Sequence, residues 1–322
     1  MRVVVTGASG FIGRQLLNRL LADGHQVTAL VRTPRAIAAH GSDGVRVLRG
    51  DVTDIESIAP AMIDAEIVLH LARAKAHGAR SPEMFAVNVA GSRNVARAAA
   101  QAGVKRLVHC SSSAVYGSRV GIVNESTPLR PDSAYARSKR DAEEEVLRES
   151  GDIAVVARIT AVMGPGCKSW APLFRSASRG ELGIAGDGSN MHHPADVADV
   201  IDGLIRCATT ENRGGRIYNI AGPEPVQFRD LRDAMARAVL PSGIKNEKRY
   251  SAAALNLYYH AGRVSDALFG LRPPLFESVT FITAHRILDL SRSRDEIGFT
   301  PSIGIEEATR RTAAWLKETN LL

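Results

Sequence analysis

Tyr135 and Lys139 stand four residues apart in Tyr135-Ala136-Arg137-Ser138-Lys139, at the start of a segment with helical periodicity. That spacing sets a phenol and an ammonium on one helix face. A free phenol has a pKa of about 10, and a nearby cation favours its anion. Such a pair can give or take the proton of a hydroxyl while a hydride moves at the same carbon. The pattern is common by chance, so its weight depends on what accompanies it.

A glycine-rich turn accompanies it. Thr6-Gly7-Ala8-Ser9-Gly10-Phe11-Ile12-Gly13 follows the apolar run Val3-Val4-Val5 and opens a helical segment. Gly7 permits the tight turn, Gly10 lets backbone approach a pyrophosphate, and Gly13 lets helix pack on strand. The helix N-terminus then faces the anion, with Ser9, Phe11 and Ile12 completing the cradle. A dinucleotide cofactor is expected there, and a nicotinamide would supply the hydride that Tyr135 chemistry needs. The end of the second strand chooses between the two nicotinamide cofactors. Ala29-Leu30-Val31-Arg32-Thr33-Pro34-Arg35 carries no acid for ribose hydroxyls and two arginines. Arg32 can pair with a 2′-phosphate or stack on adenine, which favours NADP over NAD. Read alone, Arg32 is a surface arginine.

Elements must bring these motifs together. Strands are predicted at Val3–Thr6, Gln26–Val31, Val45–Arg49, Ile67–Leu71, Arg106–Ser111 and Ala154–Ile159. Helices are predicted between them at Phe11–Asp23, Ile55–Met62, Met84–Ala102 and Tyr135–Glu149. This alternation predicts an α/β fold, a doubly wound parallel sheet of Rossmann type. After Gly164-Pro165-Gly166 the regularity breaks. Residues 167–190 read as a loop with one short helix, Asp196–Cys207 as a helix and Arg216–Ile220 as a returning strand. A polar loop near Leu240–Lys248 interrupts a mostly helical tail. The expected division is a cofactor domain over 1–166, rejoined by 192–222. A smaller interleaved substrate part is expected over 167–191 and 223–322.

The 322 residues and 45% hydrophobic content suffice for one large domain plus a capping part. A net charge of +7 comes from scattered Arg and Lys with no dense run and no interleaved aromatics. It reads as a solvated basic surface, and no nucleic-acid or membrane partner is expected. Cys110, Cys167 and Cys207 are odd in number and widely spaced. They suggest neither a disulfide framework nor a metal site, and fit a reducing cytoplasm. No apolar run is long enough to span a bilayer, and the chain opens directly on a strand.

Taken together, these motifs resemble the extended branch of the short-chain dehydrogenase/reductase superfamily over nearly the whole chain. The glycine spacing is GxxGxxG, and Ser111-Ser112-Ser113-Ala114-Val115-Tyr116-Gly117 resembles the family's serine motif. The resemblance implies that Ser112, Tyr135 and Lys139 are catalytic. Ser112 would hydrogen-bond the reacting oxygen, and Lys139 the nicotinamide ribose. It implies that Asp51, with Val52, lies at the adenine ring. Leu71, Ala72 and Arg73 would run along the cofactor, with Ile159 and Val162 beside it. Asn88 would steady the active-site helix. Ser113, Ala161 and His193 would face the substrate, and no metal is implied.

The family's dehydratases carry an Asp-Glu pair where this chain has Ser113 and Ala114, which argues against sugar dehydration. Its nucleotide-sugar enzymes usually carry Asn where this chain has Ala161. They also carry an arginine where this chain has Met191-His192-His193-Pro194. The tail, Phe281-Ile282-Thr283 and then Asp289-Leu290-Ser291 through Pro301, resembles the 3β-hydroxysteroid-dehydrogenase-like subgroup. A hydroxysteroid-like or other ring ketone is therefore the expected small-molecule substrate. A nucleotide-sugar epimerase or 4-ketoreductase is the alternative. An apolar lid from Leu255, Tyr258, Tyr259, Ala267, Leu268 and Phe269 would suit a ring, although such clusters are more often plain core. A homodimer is expected, as is common in the family.

Overall fold

In the computed structural model, which describes residues 1–35, 44–74, 82–211, 214–240, 248–269 and 276–322, short Val- and Ile-rich runs form one parallel sheet. Its strands are β1 (Arg2–Thr6), β2 (Gln26–Val31), β3 (Val45–Arg49), β4 (Ile67–His70), β5 (Arg106–Ser112), β6 (Ala154–Ile159) and β7 (Arg216–Ile220). The order is β7-β6-β5-β4-β1-β2-β3. Neighbouring β1 and β4 therefore send their chains to opposite sides, and a crevice opens at their carboxyl ends. The register places Thr6 beside His70, His70 beside His109, and Ser112 beside Ile159. These residues all lie at or near that crevice.

Both faces of the sheet are apolar because helices cover both. On one face lie α1 (Phe11–Ala22) and the later helix Val197–Thr209. They bury Leu16, Leu17 and Leu20, and Val200, Ile201 and Leu204, against Val5, Leu69 and Val108. On the other lie α2 (Ile55–Met62), α3 (Gly91–Gln101) and α4 (Ala134–Ser150). They bury Ile58, Met62, Val95, Ala99 and Val146 against Val4, Val68 and Leu107. The helix expected over Met84–Ala102 is not regular. Pro82–Phe85 leads into a widened π turn at Ala86–Ala90 before α3 begins. The π turn holds Asn88.

A third core belongs to the smaller part. Trp170 and Ile184 pack with Phe174, Phe228, Leu231, Met235 and Leu316, which come from the helices Ala171–Ser178, Phe228–Val239 and Ile305–Glu318. The tail divides differently from the expected boundary at 223. Leu288, Leu290, Ile297 and Phe299 pack into the core of the main sheet, beside Tyr218 and Ile220 of β7. Strand His285–Leu288 pairs with Arg119–Val123, which follows the serine turn. Of the expected lid, Tyr259 forms a small core with Phe276 and Val279, flanked by Leu255 and Tyr258. Leu268 and Phe269 stay exposed. The side chain of Ala267 and the loop residues 241–247 lie outside the described residues.

Candidate active site

The glycine turn sits at the end of β1. Gly7 has a φ of +67°, and the Gly10 N–H donates to the Gly7 carbonyl at 2.9 Å. A Cβ on Gly7 would lie 2.6 Å from the Ala72 nitrogen, and one on Gly13 would lie 2.3 Å from the Gly7 oxygen. Both positions are therefore closed to side chains. Gly10 caps α1 without a side-chain hydrogen bond, so the first N–H groups of the helix stay available to an anion. The cradle, half-buried at Ser9, Phe11 and Ile12, fits a dinucleotide pyrophosphate. Val52 is buried beneath Gly91, and its carbonyl accepts from Asn94 Nδ2 at 3.0 Å. Asp51 Oδ1 accepts from the N–H and hydroxyl of Thr53, which closes the turn after β3. Arg32 is exposed after β2.

A buried hydrogen-bond chain fixes the segment that follows β4. Ala72 N–H donates to Thr6 Oγ1, which lies 2.7 Å from His70 Nδ1. His70 Nε2 lies 2.9 Å from Ser92 Oγ, and Ser92 gives its own proton to the Asn88 carbonyl at 2.6 Å. Ser92 must therefore accept from His70 Nε2–H, and a neutral His70 then accepts from Thr6 at Nδ1. Burial pushes the His70 pKa down to about 3, which keeps the ring neutral. The π turn aims the Asn88 side chain across to α4. Its Oδ1 accepts from Ala74 N–H at 2.8 Å, and its Nδ2 donates to Ser138 Oγ at 3.0 Å. Ser138 in turn donates to the Tyr135 carbonyl at 2.8 Å. One asparagine thus ties the crevice edge to the helix that carries Tyr135.

Helix α4 is started by Ser133, whose side chain accepts from Ala136 N–H. This sets Tyr135 in its first turn, at the carboxyl end of β5. Ser112 ends β5, caps the following 3₁₀ turn through Ala114 N–H, and lies near enough to the Tyr135 hydroxyl to favour its anion. One turn further along α4, buried Lys139 donates to the Cys110 carbonyl at 2.8 Å and approaches His109 Nε2 at 3.3 Å. Burial lowers the Lys139 pKa to about 8. Burial also raises the Tyr135 pKa above its ordinary 10.0, against the pull of the Arg73 cation and the Ser112 hydroxyl. The cation acting on the phenol is therefore Arg73, whose guanidinium carbon lies 5.9 Å from the Tyr135 ring centroid. The motif spacing alone pointed to Lys139 for that role.

Beneath these residues lies a buried ion pair that the motif reading missed. Arg158 of β6 makes three hydrogen bonds to the Glu143 carboxylate, the shortest 2.7 Å, and donates to the Tyr116 hydroxyl at 3.0 Å. Ser111 also donates to Glu143. Ser111 thus faces the ion pair, while its neighbour Ser112 faces Tyr135. A signal was present: Arg158 interrupts the apolar run Ala154-Val155-Val156-Ala157, and a cation inside a central strand needs a buried partner.

The three expected substrate positions are placed unevenly. Ser113 is buried in the 3₁₀ turn, and Ala161 is exposed after β6. His193 is buried, with both ring nitrogens committed to backbone: Nδ1 accepts from Leu288 N–H, and Nε2 donates to the Gly222 carbonyl. Ile159 is buried and Val162 half-buried at the crevice rim. Among the described residues no group of His, Cys, Asp and Glu could hold a metal ion. No helix there is long and apolar enough to cross a membrane.

A glycine cradle at the switch point of a parallel sheet, beside a Ser-Tyr-Lys cluster, defines an NAD(P)-dependent enzyme of the extended short-chain dehydrogenase/reductase class. More narrowly, the chain belongs to the NAD dependent epimerase/dehydratase family, whose model matches residues 3–221. It is 32% identical to a 4-hydroxy-2-methyl-3-oxo-4-farnesyl-3,4-dihydroquinoline-1-oxide ketoreductase of Stigmatella aurantiaca, over 77% of this chain and 75% of that one. It is 30% identical to a 2-alkyl-3-oxoalkanoate reductase of Stenotrophomonas maltophilia (strain K279a), over 98% of this chain and 99% of that one. Among solved structures it resembles MoeE5 in complex with UDP-glucuronic acid and NAD. The TM-score is 0.78 and the identity 27%, over 99% of this chain and 100% of that one.

Proposed function

We propose that this protein reduces a ketone, or oxidises the matching secondary alcohol, on a hydroxysteroid-like or other ring substrate, with Tyr135 as the acid/base. The observation that carries this reading is the convergence of Ser112, Tyr135 and Lys139 beside the glycine cradle. A bound nicotinamide supplies or accepts the hydride. Tyr135 gives the reacting oxygen its proton, and Ser112 donates a hydrogen bond to the same oxygen. Tyr135, raised above 10.0 by burial, stays protonated at neutral pH, the state needed to deliver a proton in the reducing direction. Lys139, with two of its donors turned to β5, keeps its third N–H for the cofactor ribose. NADP is preferred because exposed Arg32, rather than an acid, follows β2. Reduction of a ring ketone by the Stigmatella relative supports the substrate class.

A nucleotide-sugar substrate is the second reading, favoured by the likeness to MoeE5 with its UDP-sugar. Ala161 and Met191 speak against it, since neither can hold a diphosphate. A homodimer belongs to the proposal, and sedimentation of the purified protein tests it. Thermal shift of the NADPH-saturated protein separates the two substrate readings. Ring ketones should raise Tm and UDP or dTDP should not, because only a ligand of the folded state stabilises it. A shift with the nucleoside diphosphates alone would reverse the assignment.

A further inference from the structure

We propose that Arg73 is the anchor for an anionic group on the substrate, so that the site takes a ketone or alcohol bearing a carboxylate or comparable anion near the reacting carbon. This deepens the reading of the site given above and rests on it.

Three observations carry the inference. First, Arg73 is exposed at the crevice edge, and its guanidinium stands over the Tyr135 ring at 5.9 Å from the centroid. An arginine so placed reaches whatever lies against the Tyr135 hydroxyl. Second, Arg73 has no ion pair and no hydrogen bond among the described residues, and the planar fork of its five donors matches a carboxylate. Third, among the described residues the positive charge around Tyr135 is not compensated. The charged and titratable groups that act on one another there are Arg73, Lys139, the Cys110 thiol and Tyr135 itself, with Glu143 the one carboxylate among them. Glu143, one turn beyond Lys139 on α4, is already held by Arg158 and Ser111. Two cations in a partly desolvated site with no free carboxylate favour an incoming anion.

The cofactor pyrophosphate has its own cradle in the glycine turn and the α1 N-terminus. The backbone of Leu71 and Ala72 passes against Gly7, and the Arg73 side chain turns away from that contact towards Tyr135. The anion that Arg73 awaits is therefore on the substrate side.

The test compares two probes of the same shape, 2-naphthoate and its neutral amide, by calorimetry on cofactor-saturated protein. The carboxylate is expected to bind roughly ten-fold or more tightly than the amide. Arg73→Gln should erase that preference, and Arg73→Lys should restore part of it. The Kd of NADH and NADPH should be the same in Arg73→Gln as in the parent. Oxidation of 2-hydroxycyclohexanecarboxylate should likewise exceed that of its methyl ester in kcat/KM, with the difference lost in Arg73→Gln. Equal binding of the two naphthyl probes, or binding of neither, would overturn the proposal. So would an Arg73→Gln protein that keeps the carboxylate preference. A loss of cofactor affinity in that variant would assign Arg73 to the cofactor phosphates instead. The binding comparison needs no proton transfer, so it fails or succeeds independently of the role given to Tyr135.

Discussion

A half-buried tyrosine beside one exposed arginine and one buried lysine has an unusual electrostatic balance. Burial raises the phenol, while Arg73 and the Ser112 hydroxyl draw it back. Removing the hydroxyl in Tyr135→Phe is expected to lower turnover by about 10²–10⁴-fold. NADPH affinity, measured by fluorescence titration, should be retained, and unchanged turnover would refute the site. Lys139 carries the opposite burden. Its pKa falls from 10.5 to about 8 because the ammonium is buried. The unfolded chain therefore binds more protons than the folded one between those values, and stability rises with pH across that window. Lys139→Met should raise Tm at pH 7 while abolishing activity, and the gain should shrink above pH 8. A Lys139→Met protein less stable than the parent at pH 7 would show that the bond to the Cys110 carbonyl outweighs the cost of burial.

The elements are held to one another by a few buried polar side chains. Glu143 on α4 and Arg158 on β6 are 3% and 4% exposed, so each depends on the other for its charge. Glu143→Gln should cost about 3–5 kcal/mol in urea unfolding, because it strands the guanidinium. The double variant Glu143→Leu/Arg158→Met should cost less than that single change, since nothing charged is left unpaired. Equal costs would mean that packing, not charge, joins α4 to β6. At the glycine turn, backbone contact decides. A methyl on Gly13 meets the Gly7 oxygen at 2.3 Å, so Gly13→Ala must push α1 from β1. Loss of cofactor binding in a protein that still shows native circular dichroism is the expected result.

Across the whole molecule, buried histidines couple stability to acid. His70, His109, His192 and His193 all have pKa values below 6.5 through burial, with His70 and His192 at about 3. Unfolding lets each take up a proton once the pH falls below about 6.5, so stability drops as the solution is acidified. Each contributes up to about 1.4 kcal/mol per pH unit of slope. Urea melts from pH 7.5 to 5 should show a falling midpoint already below pH 6.5. A flat response to pH 5 would mean that these rings are protonated in the folded protein.

Much of this was legible in the chain itself. Strand and helix alternation through Ile159 predicted the sheet, because apolar runs of that length need helices on both faces. The glycines at 7, 10 and 13, the Tyr135–Lys139 spacing and the serine turn are local patterns, so they could be read without coordinates. Asn88 was found through its family motif, yet the π turn that aims it was not, since a helix of normal period and a widened one share the same sequence pattern. Glu143 and Arg158 are 15 residues apart in sequence, and His70 and Ser92 are 22 apart. Only the packing of α3 and α4 on β4, β5 and β6 brings those pairs within hydrogen-bond reach. The same holds for Arg73 at Tyr135. The sequence by itself determined which residues can do chemistry and the elements that carry them. Tertiary structure decided which charges stand uncompensated beside them, because burial and distance between separate elements set that balance and no local spacing encodes it.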